Sequence, residues 1–186
     1  MFSTILAIFT LFISVLILIW TCVQIYINYS SDKIGFVPSS SPKLSQAMYK
    51  IVHEYIKKQE KYTFVELGSG ISNNTITAAK RFRFKRFIAV ELDPFLVVFS
   101  KFFAFLNKVN IEFYVADLYK FQIPKDSIIY CYLGNTIVTK LYKQGSFKGQ
   151  LVISTTFKIN DVKETQSHYI GGIYRKIFVY DFRGEK

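Results

Sequence analysis

Charge is missing from the start of this chain. No Asp, Glu, Lys or Arg occurs before Asp32, and from Ile5 to Val23 the residues are almost wholly Ile, Leu, Phe, Val and Ala. The marks of a cleavable signal peptide, a basic n-region and a small-residue cleavage site, are missing as well. Trp20 and Thr21 precede Cys22, which does not suit a lipoprotein site. Cysteine is scarce: Cys22 and Cys131 make neither a disulfide framework nor a metal-ligand spacing, so no metal is expected. No internal repeat or low-complexity tract stands out.

What the first segment does have is length and apolarity. A helix of roughly 20 such residues spans the ~30 Å hydrocarbon layer. Thr10, Ser14 and Thr21 interrupt it only mildly, because a hydroxyl can bond back to the preceding turn. Trp20, Tyr26 and Tyr29 stand where an aromatic belt meets the headgroups. Residues 1–29 are therefore expected to be an uncleaved transmembrane anchor whose partner is membrane lipid. The first basic residues, Lys33, Lys43 and Lys50, all follow it, which puts the rest of the chain on the cytoplasmic or matrix side of a single-pass protein. Residues 30–42, Ser-rich with Pro38 and Pro42, read as a linker. Residues 43–186 are enough for one globular domain. The net charge of +11 permits an acidic lipid, an acidic protein or a nucleic acid as partner. No aromatic–basic recognition motif supports the last.

The domain alternates. A helix is expected over Lys43–Lys58, with Leu44, Met48, Ile51, Val52 and Tyr55 at helical spacing. Strands follow at Thr63–Leu67, Arg86–Glu91, Ile111–Ala116, Ser127–Tyr132 and Gln150–Thr155, with helices at Asn73–Arg81, Pro94–Leu106 and Asn135–Lys143. Asn73, Asn74 or Thr75 is placed to cap the first of these, and Asp93 to cap the second ahead of Pro94. The tail holds two strand-like runs, Thr165–Ile170 and Tyr174–Phe182, joined through Gly171 and Gly172. The expected fold is α/β, a Rossmann-like seven-strand sheet, parallel with a terminal antiparallel hairpin, preceded by one transmembrane helix.

The chemistry gathers at strand ends. Phe64-Val65-Glu66-Leu67-Gly68-Ser69-Gly70 is an apolar run that closes on an acid and a glycine turn. Glycine lets backbone pass close to a ligand. A dinucleotide fingerprint needs a third glycine, and Asn73 stands in its place. S-adenosylmethionine has no pyrophosphate to cradle, and its ammonium and sulfonium favour an acid nearby, so it is the expected cofactor. Glu91, twenty-one residues beyond Gly70, suits the ribose hydroxyls, and Asp117 the adenine amine. The expected cofactor-binding residues are Glu66, Gly68, Ser69, Gly70, Glu91, Leu92, Asp117 and Leu118. His53 and His168 lie outside these motifs and are expected at the surface.

These motifs resemble class I S-adenosylmethionine-dependent methyltransferases. The resemblance narrows through Gly35-Phe36-Val37-Pro38-Ser39, the Glu-Leu-Gly-Ser-Gly turn, Val90-Glu91-Leu92-Asp93-Pro94-Phe95-Leu96-Val97, Asp117-Leu118-Tyr119-Lys120 and Val179-Tyr180-Asp181-Phe182, which run in one order. The chain is similar to the membrane-anchored lysine methyltransferases of the ATP synthase c-subunit and adenine nucleotide translocase, and to their prokaryotic relatives. It departs from them at Ile71-Ser72, where that family has Asp-Gly, and at Asp93, where it has Asn.

The resemblance implies methylation of a lysine on a membrane-associated protein. The amine must be neutral to attack, and Tyr132 and Asn135, at the edge of the fourth strand, are the expected catalytic residues on the substrate side. Two other readings are compatible with the same motifs: a methyltransferase of a lipid-soluble small molecule, and a non-catalytic scaffold that keeps the cofactor site.

Overall fold

The computed structural model describes the backbone at residues 2–30, 42–170 and 176–184, and side-chain surroundings at 6–22, 46–170 and 176–184. It divides into two units, residues 1–36 and 37–186.

Among its described residues the first unit contains one helix, α1 (Phe2–Ser30). The side chains described in it are exposed from Leu6 to Cys22. Thr10, Ser14 and Thr21 each donate a hydroxyl to the carbonyl four residues back, at 2.8–2.9 Å, as their place in an apolar helix predicts. Among the described residues no helix is long and apolar enough to cross a membrane. Trp20 is exposed, whereas the side chains of Tyr26 and Tyr29 lie outside the described residues.

The second unit is a seven-stranded sheet with helices on its faces. Its elements are α2 (Pro42–Tyr55), a 3-10 turn at Gln59–Lys61, β1 (Thr63–Leu67), α3 (Asn73–Arg81), β2 (Arg86–Glu91), α4 (Pro94–Leu106), β3 (Glu112–Val115), β4 (Ser127–Cys131), α5 (Asn135–Lys143), β5 (Leu151–Thr155), β6 (Gln166–Tyr169) and β7 (Lys176–Asp181). The strand order is β3-β2-β1-β4-β5-β7-β6. The first five strands are parallel, and β7 runs antiparallel to both β5 and β6. The expected elements are present within a few residues. Helix α2 ends at Tyr55 rather than Lys58, and no helix stands between β5 and β6. The expected Gly171-Gly172 turn and the linker over 31–41 lie outside the described residues.

Strand alternation splits the core in two. Phe64, Ile128, Tyr130, Leu151 and Ile153 face α2 and α3, where Met48, Ile51, Val52, Ala78 and Phe82 cover them. Val65, Leu67, Ile129, Cys131 and Val152 face the other way, toward Val138 and Leu141 of α5. Burial pushes the Cys131 thiol up to about 12, so it serves as an inert core residue.

The terminal hairpin corrects one expectation. His53 is exposed against the Phe82 ring, but His168 on β6 is half-buried, and its Nε2 is enclosed with no hydrogen-bond partner among the described residues. A histidine in a strand that alternates between half-buried and exposed positions is not simply a surface residue.

Candidate active site

Between β1 and β4 the strand order reverses, and open parallel sheets bind ligands in the crevice at such a point. The glycine turn follows β1 there. Gly68 N and Ser69 N both donate to Val90 O, at 2.9 and 3.0 Å, so the chain bends across the end of β2. Gly68 and Gly70 have φ +68 and +54, in the left-handed region where glycine is favoured.

The two glycines do different things. A Cβ on Gly70 would meet nothing within 4 Å, so open space lies over it. A Cβ on Gly68 would stand 2.5 Å from Leu133 Cδ2. The approach that Gly68 permits is therefore of a buried leucine beyond β4, where the sequence suggested a ligand. Ser69 is buried, and its hydroxyl accepts from Ser72 Oγ at 3.0 Å. Ser72 Oγ also lies 3.1 Å from Ser100 Oγ, and Ser100 donates to Gly70 O at 3.1 Å. This serine set ties the turn to α4. Ser72 itself sits at the N-cap of α3 with φ +57 and no capping side-chain bond.

The three strand-end acids part company. Glu66 is buried on the face of β1 that α3 covers. Its Oε1 accepts from Asn74 Nδ2 at 2.9 Å, and its Oε2 from Thr75 N at 3.0 Å and from the Thr75 hydroxyl. Asn74 and Thr75, expected as candidate caps, thus join the helix to the strand. Burial pushes the Glu66 carboxyl up to about 7 despite these bonds. Glu66 lies beneath the turn and does not open onto the crevice. Glu91 is half-buried; its Oε2 accepts from Gly70 N at 2.8 Å, and its Oε1 from Leu92 N and Asp93 N at 2.8 and 3.1 Å. Asp93 caps α4 by accepting from Phe95 N at 2.8 Å, as expected. Asp117 follows β3 and accepts from Tyr119 N at 2.9 Å. Leu92 is half-buried, and Leu118 packs against the α5-side core.

Across the crevice, the segments after β4 and β5 are joined. The rings of Tyr132 and Phe157 lie 5.9 Å apart, and Asn135 Nδ2 donates to Lys158 O at 2.9 Å. Thr156, just after β5 at φ +68, has a buried hydroxyl with no hydrogen-bond partner among the described residues. Sequence reasoning missed Phe157 and Thr156, which lie in no motif, and Ser100, which matters only through contacts far along the chain.

A family model, the ANTKMT methyltransferase domain, matches residues 66–166, just over half of the chain. The chain belongs to the ANTKMT methyltransferase family. It is a class I, S-adenosylmethionine-dependent methyltransferase. Solved structures with this fold include an RNA methyltransferase from Salinibacter ruber in complex with S-adenosyl-L-homocysteine, with TM-score 0.69 and 21% identity over 81% of this chain and 96% of that one. Human methyltransferase 10 domain containing protein aligns with TM-score 0.63 and 14% identity over 81% and 88%. The ribosomal protein L11 methylase of Lactobacillus delbrueckii subsp. bulgaricus aligns with TM-score 0.60 and 17% identity over 74% and 77%. At these identities the likeness is one of fold. No curated protein matches the sequence. The residues of this ANTKMT-family chain fit its cofactor: Gly70 leaves space at the turn, and the carboxylates of Glu91 and Asp117 stand at the ends of the next two strands.

Proposed function

We propose that this chain transfers methyl groups to lysine on a membrane-associated protein and that its N-terminal helix holds it to the bilayer. The match to the ANTKMT domain over residues 66–166 carries the reading. The uncharged run before Asp32 and the first lysines after it favour a single-pass anchor with the domain on the cytoplasmic or matrix side.

In this reading the turn Gly68-Ser69-Gly70 holds the amino-acid end of the cofactor, Glu91 the ribose, and Asp117 the adenine, with Leu92 and Leu118 flanking the base. Glu66 fixes the turn from below, and a cationic ligand at the turn favours its ionised form. Bound S-adenosylmethionine supplies an electrophilic methyl group for in-line displacement. The chain's own part is alignment. Tyr132 and Phe157 offer an aromatic wall to the aliphatic stem of a lysine. Asn135 orders the segment after β5 through Lys158 O.

Two expected results test this. Incubating the full-length protein with methyl-labelled cofactor and native membranes should place label on lysine of a membrane protein. Label in the lipid extract would favour the small-molecule reading, and its absence from both would favour the scaffold. Glu91→Ala should weaken cofactor binding by about 1.5–3 kcal/mol, since it removes a charged acceptor and frees Gly70 N. Calorimetry on the purified protein measures it; unchanged affinity would place the cofactor elsewhere.

A further inference from the structure

Helix α4 is built inside out. Its inward positions are Val97, Ser100 and Ala104, all buried and none larger than valine. Its outward positions are Val98, Phe99, Phe102, Phe105 and Leu106, with Phe105 78% and Val98 64% exposed. At the helical period these five fall on one side, opposite the buried stripe. A helix facing water keeps polar residues there. On the sheet face that α4 covers, Val115 of the edge strand β3 is exposed as well.

The rim of this surface is basic. Lys101 and Lys108 are exposed, and Lys80 donates to Asn107 Oδ1 at the C-terminal end of α4. The acids nearby are engaged: Asp93 caps the helix, and Glu112 is paired with Arg86 at 2.5 Å. An apolar face with a cationic rim and engaged acids complements an anionic lipid surface. A second copy suits it less well, because a two-fold contact through this face would set Lys101 against Lys101.

We propose that the outward face of α4 lies in the headgroup–acyl boundary of an anionic bilayer. The proposal rests on the anchor reading, which supplies the proximity. Residues 31–41 reach roughly 40 Å when extended, so an anchored domain stays within about its own diameter of the lipid. Such docking would fix the height of the crevice over the membrane and favour lysines close to the headgroups.

The test uses the full chain with Cys22→Ser, reconstituted in vesicles of about 30% anionic lipid. An environment-sensitive fluorophore is attached at Phe102→Cys or Phe105→Cys, with Lys148→Cys as the control. Quenching by lipids with nitroxide on the acyl chain should be on the order of threefold stronger at 102 and 105 than at 148. Aqueous iodide should quench in the reverse order. Labels at 102 and 105 that behave like the label at 148 overturn the proposal. So does shielding from both quenchers together with a 102–102 crosslink, which would mean a second copy. Alkaline carbonate extraction of the same vesicles separates this proposal from the anchor reading. Protein retained with water-exposed labels defeats the α4 surface alone. Protein released by carbonate after showing lipid-quenched labels defeats the anchor alone.

Discussion

Gly68→Val is expected to leave little folded protein, with a loss of about 3–5 kcal/mol in stability. Two costs meet at this position. A residue with a Cβ at φ +68 is strained by about 1–2 kcal/mol, and a β-branched one by more. The added carbons then run into Leu133, whose Cδ2 stands 2.5 Å from the first of them. Leu133 is buried in the α5-side cluster, so it has little room to turn away. The two costs separate in a cycle with Leu133→Ala, which relieves the collision and leaves the strain. The coupling between the sites should be about 1–2 kcal/mol. Gly70→Ala is the contrast. It has the same kind of backbone strain, but its Cβ meets open space, so it should lower cofactor affinity more than stability. Denaturant unfolding of Gly68→Val, Leu133→Ala, their double variant and Gly70→Ala, with cofactor titrations alongside, checks this. A Gly68→Val protein as stable as its parent would refute the account, as would a Gly70→Ala protein destabilised to the same degree.

The order of elements was legible because buried parallel strands are continuous apolar runs and because glycine and proline punctuate them. Phe64–Leu67 opening on Gly68, and Val90 closing on Pro94, mark β1, β2 and α4 with no tertiary information. The direction of Glu66 was not legible. An acid at the end of an apolar run reads as a strand-end ligand group, and only the sheet's alternation shows that it points under α3 to Thr75 and Asn74. The serine set was hidden for another reason. Ser72 and Ser100 are twenty-eight residues apart and meet only because α4 packs beside the turn. The orientation of α4 was not legible either: apolar residues occur all round it, and the core side is held by Val97, Ser100 and Ala104 while Phe99, Phe102 and Phe105 face outward. Small residues inward and large ones outward bring the helix close to the turn and leave its aromatic face uncovered among the described residues.

Glu66→Gln is expected to remove a pH dependence of stability that the parent protein shows between about pH 4.5 and about pH 7. Burial raises the folded-state pKa of Glu66 to about 7, from 4.5 for the group in water. Between these values the folded protein keeps a proton that the unfolded chain has lost. Stability from this group is therefore fully present below about pH 4.5 and is lost as pH rises through about 7. The loss is of order 3 kcal/mol. A glutamine accepts from Thr75 and carries no charge, so the variant should match its parent near pH 5 and exceed it at pH 8. Glu66→Ala differs: it strands the Asn74 amide and the Thr75 N–H, and should cost about 2–4 kcal/mol even at pH 5. The same carboxyl couples to the ligand. A cationic cofactor at the turn favours the ionised form, so binding below pH 7 should release a proton from the parent and none from the glutamine variant. Calorimetry in two buffers of different ionisation heat counts that proton, and unfolding from pH 5 to 8 measures the slope. If parent and glutamine variant lost stability in parallel over that range, some other group would be titrating, and Glu66 would be charged in the fold at every pH tested.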